Sequence, residues 1–265
     1  ERASERDEWL ERLSAAVPHA SFDRGRVSPH AIDARGAGKP QHLPGWTDGA
    51  WSIQEEGSQV AALAVGARTG EVVLDACAGR GNKTAILARA VGATGAVDAS
   101  DAIPNKLTRL RQELARVGLH PRSTFAVDWR QGSGEVQGVY DRVLVDAPCS
   151  GMGGLRRRPE IALRRAPLDL PSMARTQIAI AARAAGHVRP GGTLVYVVCS
   201  VLREEGEDVI EALLRLRPEL APEPFEAPVA RAVAGDDRAA FRLLPHVHGT
   251  DGYFVAQLRS RARTL

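Results

Sequence analysis

Two of the chain's three cysteines close apolar runs: Cys149 in "VDAPCSGMG", Val145 to Gly153, and Cys199 in "LVYVVCS", Leu194 to Ser200. One thiol at the end of a strand is by default a small apolar filler. Two of them, each ending its own run and one set beside an aspartate and a proline, reverse that default and point to thiol chemistry. Such chemistry needs a thiol pKa lowered from about 8.5 by nearby positive charge or by a helix N-terminus. The cysteine count is odd and the spacing wide, so neither a disulfide framework nor a zinc site is expected. The thiols should be reduced, and no metal is predicted.

The remaining candidates also follow apolar runs. "DACAGRGNKT", Asp75 to Thr84, places glycines where tight turns and close backbone approach are possible, just ahead of a helix with free N–H groups. Alone, that loop would equally suit a dinucleotide-dependent oxidoreductase. Its spacing is not G-x-G-x-x-G, and Lys83-Thr84 does not complete a phosphate-binding P-loop. Asp101 ends a second run about 20 residues beyond the glycines, where a carboxylate can take both ribose hydroxyls. Asp128 ends a third, placed to meet an adenine edge. Either aspartate alone could be a helix cap; with the loop they describe a nucleoside pocket.

These residues need strands to carry them, and the sequence supplies strands alternating with helices from about Glu71 onward. The strand candidates are Glu71 to Cys77, Gly95 to Asp101, Ser123 to Asp128, Tyr140 to Pro148 and Gly192 to Ser200. Helix candidates lie between them: "KTAILARAVG", "PNKLTRLRQELARVG" and "MARTQIAIAARAAGHVRPGG", with "REEGEDVIEALLRLRP" after the fifth strand. The alternation predicts an α/β, Rossmann-like fold, a mostly parallel sheet with helices on both faces. "FRLLP" and "GYFVAQLR" read as two further strands making an antiparallel C-terminal edge. "APEPFEAPVARAVAGDD", Ala221 to Asp237, reads as an irregular connection. In open parallel sheets ligands bind at the carboxyl ends of the strands, where every unusual residue here falls.

Residues 1–45, rich in Arg, Gly, Pro and His, are expected to form a small lobe or loops appended to a catalytic domain over 46–265. The 265 residues carry 44% hydrophobic and 25% charged side chains, ordinary for a soluble domain. No apolar run approaches the roughly 20 residues needed to cross a bilayer. The charged start "ERASERDEWLERL" is unlike a secretory signal, so a cytoplasmic location is expected, without membrane contact and as a monomer. The net charge of +3 does not by itself argue for nucleic acid. "GLRRRPEIALRR" is more telling: its five arginines, Arg156, Arg157, Arg158, Arg164 and Arg165, directly follow the Cys149 motif. That position favours phosphate binding over a merely solvated face.

Taken together, "WSIQEEGSQ", "VLDACAGRGNKT", "VDAPCSGMGGLRRRPEI", "RPGGTLVYVVCSVLREEGEDVI" and "LLPHVHGTDGYFVAQL" resemble, in this order, the Sun/Fmu (Nop2/Sun-type) RNA cytosine-5 methyltransferases. The resemblance implies S-adenosylmethionine as cofactor and ribosomal or transfer RNA as substrate. It implies that Cys77, Ala78, Gly79, Arg80, Gly81, Asn82 and Lys83, with Asp101, Asp128 and Asp146, hold the cofactor. Cys199 would be the nucleophile, Cys149 its partner, and Asp146 a hydrogen-bonding group for the pyrimidine. Carbon 5 of cytosine is a poor nucleophile until a thiolate adds at carbon 6, and the proton on carbon 5 must later leave, which accounts for two thiols. Cys77 is expected only to line the loop. The family loop usually reads Cys-Ala-Ala-Pro-Gly-Gly-Lys-Thr, so Gly79, Arg80 and Asn82 depart from it, as do Val198 for threonine and Glu55 for aspartate. Two other readings compete: an RNA-binding relative with impaired catalysis, and an exocyclic amino methyltransferase. The second would need an aromatic residue in the loop where this chain has "DAPCS". The resemblance also implies that members often carry an additional N-terminal RNA-binding domain; none is expected within these 265 residues, as in a fragment or a minimal member.

Overall fold

The computed structural model describes residues 3–164 and 169–261. The chain opens with α1 (Ala3–Ala16) and an antiparallel hairpin of β1 (Ser21–Arg24) and β2 (Ile32–Arg35). The hairpin loop is pinned to the N-terminus of α2 (Glu56–Leu63), where one carboxylate oxygen of Glu56 accepts the backbone N–H of Val27 at 2.6 Å and of Ser28 at 2.9 Å. Gly25 passes so close that a Cβ there would stand 2.6 Å from the Glu56 carboxylate.

Five parallel strands follow: β3 (Val72–Asp75), β4 (Ala96–Asp101), β5 (Ser123–Ala126), β6 (Tyr140–Asp146) and β7 (Val188–Val198). Helices α3 (Asn82–Val91), α4 (Pro104–Arg116) and α6 (Leu170–Ala185) make the crossovers that parallel pairing requires, and the single turn α5 (Ile161–Arg164) precedes the last of them. After β7 come α7 (Glu207–Leu216), β8 (Leu220–Pro222), α8 (Pro228–Ala234), β9 (Ala240–Leu243), α9 (Pro245–His248) and β10 (Tyr253–Ser260). The sheet runs β5-β4-β3-β6-β7-β10-β8, with β9 also on β10, and β10 is antiparallel to its neighbours. The α/β architecture with an antiparallel C-terminal region is the one expected from the alternation of apolar runs.

Both faces of the sheet are covered, so its central strands are continuously apolar rather than alternating. Val143, Leu144 and Val145 on β6 and Leu194 to Val198 on β7 are 0% exposed. Leu74, Val143 and Tyr196 pack towards Ala181, Ala184 and Leu213, while Val73, Leu144 and Val195 pack towards Val60, Leu87 and Ala230. Helix α4 shows the local logic. Proline opens it, Leu107, Leu110 and Leu114 make one buried stripe, and Gly118 at φ 70° closes it by letting the Leu119 N–H turn back to the Leu114 carbonyl at 2.8 Å.

Two expectations shift. The helical reading across "MARTQIAIAARAAGHVRPGG" overshoots, because α6 ends at Ala185 and β7 already starts at Val188. Pairing with β6 decides this: the Tyr140 N–H reaches the His187 carbonyl at 2.8 Å, and a register shift between Tyr140 and Arg142 absorbs Pro190-Gly191-Gly192. The stretch read as irregular contains β8 and α8. Ala230 and Ala234, one turn apart, give α8 a buried face too small to register as a hydrophobic pattern.

Candidate active site

The strand order reverses between β3 and β6, the place where an open parallel sheet leaves a crevice at its carboxyl edge. The glycine loop after β3 lies there. Gly81, at φ 91°, is the residue before α3, and a Cβ on it would strike the side chains of Leu110 and Leu114. Gly79, at φ 58°, has nothing within 4 Å of where a Cβ would stand. Its N–H is held at 3.0 Å by Asp101, which also accepts the Ile103 N–H at 2.9 Å and the Lys106 ammonium at 3.4 Å. Buried Ala78 donates its N–H to the Ser100 carbonyl at 2.8 Å, so the loop is tied to the end of β4. The open space at Gly79, flanked by a carboxylate already oriented by two N–H groups, leaves room for the adenosyl part of a cofactor. Arg80 and Asn82 are exposed, and the Asn82 amide reaches the Ile53 carbonyl at 3.3 Å.

Behind the loop is a cluster of buried charge. Lys83 donates to Asp146 at 2.7 Å; the lysine side chain is 10% exposed and the aspartate 29%. Burial alone would push the Lys83 pKa down, but Asp146 outweighs it and holds the ammonium above the ordinary lysine value. Fully buried Asp75 accepts the Thr84 hydroxyl at 2.7 Å through Oδ2, while its Oδ1 has no partner. That burial, only partly offset by Thr84, raises the Asp75 carboxyl to about 7. The protein packed around Cys77, and then the carboxylates of Asp146, Asp75 and Asp101, push its thiol well up, which keeps it protonated and inert.

Cys149, after β6, and Cys199, after β7, meet with their Sγ atoms 3.1 Å apart. Both are half-buried. The sulfur contact, then burial, then the charges of Cys199 and Glu205 raise the Cys149 thiol well above its ordinary value. The same contact, helped by Lys83, lowers Cys199 against the opposing pull of burial and Asp146. The pair is therefore unequal: when one of the two thiols ionises, the contact and Lys83 favour the negative charge on Cys199 and the proton on Cys149.

The loop that carries Cys149 is fixed on both sides. The Gly153 N–H reaches the Cys199 carbonyl at 3.0 Å, and the Gly252 N–H reaches the Gly153 carbonyl at 2.8 Å. A Cβ on Gly153 would stand 1.9 Å from the Gly252 carbonyl oxygen, so the chains touch backbone to backbone. On the other side, the carboxylate of Glu205 accepts the Ser150 N–H at 2.7 Å and its hydroxyl at 2.5 Å.

Of the residues singled out in the sequence, Cys77 to Lys83, Asp101, Asp146, Cys149 and Cys199 lie around this crevice. Asp128 is turned to its own loop, accepting the Arg130 N–H at 3.0 Å, the Arg130 guanidinium at 2.7 Å and the Gln131 amide at 3.3 Å. Arg157 forks onto Asp251 at 2.9 and 2.5 Å, and Arg156 lies 3.6 Å from the same carboxylate. Arg158 pairs with Glu160 at 3.2 Å. Arg164 ends α5, and Arg165 lies outside the described residues. A cleft of about 710 Å³ is lined by Arg156 and Arg157 together with Arg24, Arg26 and Arg35 of the hairpin, with carboxylates, Glu55 among them, interspersed. Sequence reasoning missed Asp75, Glu205 and the Glu55–Asp251 tie, in which Glu55 accepts the Asp251 N–H at 2.7 Å. Glu205 alone left a visible signal, as part of the Glu204-Glu205 pair that follows Cys199-Ser200. Among the described residues no group of His, Cys, Asp and Glu could hold a metal, and no helix is long and apolar enough to cross a membrane.

Comparison with known proteins places this geometry among relatives. The family profile described as "16S rRNA methyltransferase RsmB/F" matches residues 62–259. The probable ribosomal RNA small subunit methyltransferase B of Bacillus subtilis is 32% identical over 264 residues, covering 97% of this chain and 58% of the relative. The crystal structure of PH0851 superposes with a TM-score of 0.86 at 28% identity, over 97% of this chain and 58% of that one. NSun6 from Pyrococcus horikoshii, solved with SFG, gives 0.73 at 26% identity, over 84% and 56%. The chain thus spans about half the length of the curated relatives it matches.

Proposed function

The chain belongs to the 16S rRNA methyltransferase RsmB/F family, and from that membership we propose that it methylates carbon 5 of a cytosine in small-subunit ribosomal RNA through a covalent cysteine adduct. The observation that carries this reading is the meeting of two thiols from the ends of adjacent strands, 3.1 Å apart, with the Lys83–Asp146 ion pair in the same crevice. S-adenosylmethionine supplies an electrophilic methyl group. Cys77 to Gly81 and Asp101 would hold it in the open space at Gly79, and Asp128 would join them by exchanging its contact with Arg130.

The protein's own groups do the rest. Cys199, as thiolate, adds to carbon 6 of the ring, and its electron pair makes carbon 5 nucleophilic. Asp146, anchored by Lys83, accepts a hydrogen bond from the pyrimidine and favours the form protonated at N3, which lowers the barrier to addition. Once Cys199 is bonded to carbon, the negative charge that kept Cys149 protonated is gone. Cys149 can then lose its proton to solvent and, as thiolate, take the proton from carbon 5 as the bond to Cys199 breaks, its electron pair leaving with the Cys199 sulfur, and the aromatic ring returns. Bisulfite sequencing of total RNA from cells with and without the gene tests the proposal. A protected cytosine in small-subunit rRNA that disappears with the gene is expected, and an unchanged rRNA pattern would refute it.

Asp101→Ala should weaken S-adenosylmethionine binding by about 1.5–3 kcal/mol, the worth of charge-assisted hydrogen bonds. The variant also strands the N–H groups of Gly79 and Ile103, so thermal stability should fall with affinity. Calorimetric titration of the folded variant checks this, and unchanged affinity would remove Asp101 from the cofactor site.

RNA affinity should fall steeply with salt. Arg156 and Arg158 are 47% and 60% exposed; Arg156 stands 3.6 Å from Asp251, which keeps its fork from Arg157, and Arg158 pairs with partly exposed Glu160, so both can exchange these contacts for phosphates. Replacing both with alanine should flatten the plot of log affinity against log salt by about 1.5–2 units. Filter binding across a salt series measures the slope, and an unaltered slope would make this run a solvated face.

A further inference from the structure

The mechanism leaves two fully buried carboxylates, Asp75 and Glu205, without a task, and Glu205 is the one that reaches the thiol loop. Glu205 sits at 0% exposure in the turn after Cys199, and it spans to the loop that carries Cys149. It accepts the Ser150 N–H at 2.7 Å and the Ser150 hydroxyl at 2.5 Å. It also accepts the Gln177 amide at 3.0 Å, and that same amide nitrogen reaches the Pro148 carbonyl at 3.0 Å. Its own carbonyl accepts the Tyr196 hydroxyl at 2.8 Å, which fixes the turn to the middle of β7. The residues on either side of Cys149 are therefore both tied, one directly and one through Gln177, to a single carboxylate.

A buried carboxylate is costly to desolvate unless each oxygen is well served, and here both oxygens are. A neutral, apolar contact could hold α6 against the loop equally well. What the carboxylate adds is direction: two bonds to one residue fix the rotation of the loop, and with it the line along which Cys149 Sγ points.

We infer that Glu205 is a positioning residue that holds Cys149 on Cys199 by fixing the Pro148–Ser150 turn, and so sets the rate at which the methylated product is released. The inference rests on the proposed division of labour between the thiols. Glu205 touches no reacting atom. The groups facing Cys149 are Cys199 from the end of β7, Glu205 from the turn beyond it and Tyr196 within β7; Lys83 and Asp146 act on the Cys199 side.

The experiment follows the denaturant-resistant protein–RNA adduct in wild type, Glu205→Gln, Cys149→Ala and the double variant, with a thermal melt of each. In Glu205→Gln the adduct should form within about threefold of the wild-type rate and decay at least about tenfold more slowly, so that it accumulates. Groups that act as a unit are not additive, so the double variant should match Cys149→Ala alone. A lowered melting temperature with wild-type adduct decay would make Glu205 purely structural and overturn the inference. So would slower adduct formation in the double variant than in Cys149→Ala, because Glu205 would then act elsewhere. Should Glu205→Gln fail to fold, Ser150→Ala removes the hydroxyl arm alone and is read by the same criteria. Absence of adduct in Cys149→Ala itself would instead refute the division of labour, and this inference with it.

Discussion

Cys199→Ala is expected to abolish both methylated RNA and the covalent adduct, whereas Cys149→Ala should abolish turnover yet accumulate the adduct. The first substitution removes the only thiolate in reach of carbon 6, so product formation should fall by at least about 10⁴-fold. The second leaves addition and methyl transfer intact and removes the group that takes the carbon 5 proton. Rates alone could not separate the variants, since both lose turnover. Denaturing gel electrophoresis of the reaction with labelled RNA separates them at once. The polarity of the pair underlies the assignment: Lys83 stands on the Cys199 side and Glu205 on the Cys149 side, so negative charge settles on Cys199. An adduct that appears in Cys199→Ala and vanishes in Cys149→Ala would exchange the two roles while leaving fold and cofactor site as described.

Lys83→Met should cost activity by about 10²-fold and shift its pH dependence, although the methylene stem is conserved. Lys83 is the cation that offsets Asp146, Asp75 and the Cys199 thiolate together. Without it the Cys199 pKa must rise, because the contact with Cys149 is then left to work against burial and Asp146 without the lysine's charge. In the wild type the lowered thiol pKa lets adduct formation reach its plateau below the pH of an ordinary thiol. In the variant the same limb should move to higher pH, and raising the pH should restore part of the lost rate. Stability should drop by about 1–3 kcal/mol, less than for a fully buried pair because Asp146 keeps some solvent. Single-turnover adduct formation between pH 6 and pH 9.5, set beside a denaturant melt, checks both parts. A pH profile that stays in place would show that Lys83 does not govern the thiol.

The strand and helix order was readable because the sheet is buried on both faces, which makes its strands plain apolar runs between glycine- and proline-marked turns. The crevice was readable for a related reason: chemistry at the carboxyl edge must follow those runs, and Asp101, Asp146, Cys149 and Cys199 do. What periodicity could not reveal was which polar groups meet across the fold. Glu205 finds Ser150 from 55 positions away, Asp251 finds Arg157 from 94 and Glu55 from 196. Local pattern carries no trace of such pairs. Asp128 shows the same limit at short range, since its place after a strand gave no sign that Arg130, two residues on, would take both its oxygens.

The meeting of Gly153 with Gly252 bears on how this protein can vary. Two main chains in direct contact leave no room for even a methyl group, and the Cys199 carbonyl closes the third side of the same space. Drift at either position would pry the thiols apart before it touched the chemistry of either one. Designers who diversify these loops to retarget the enzyme should therefore hold both glycines fixed and look for new specificity along the rim of the arginine-lined cleft, where side chains already face solvent.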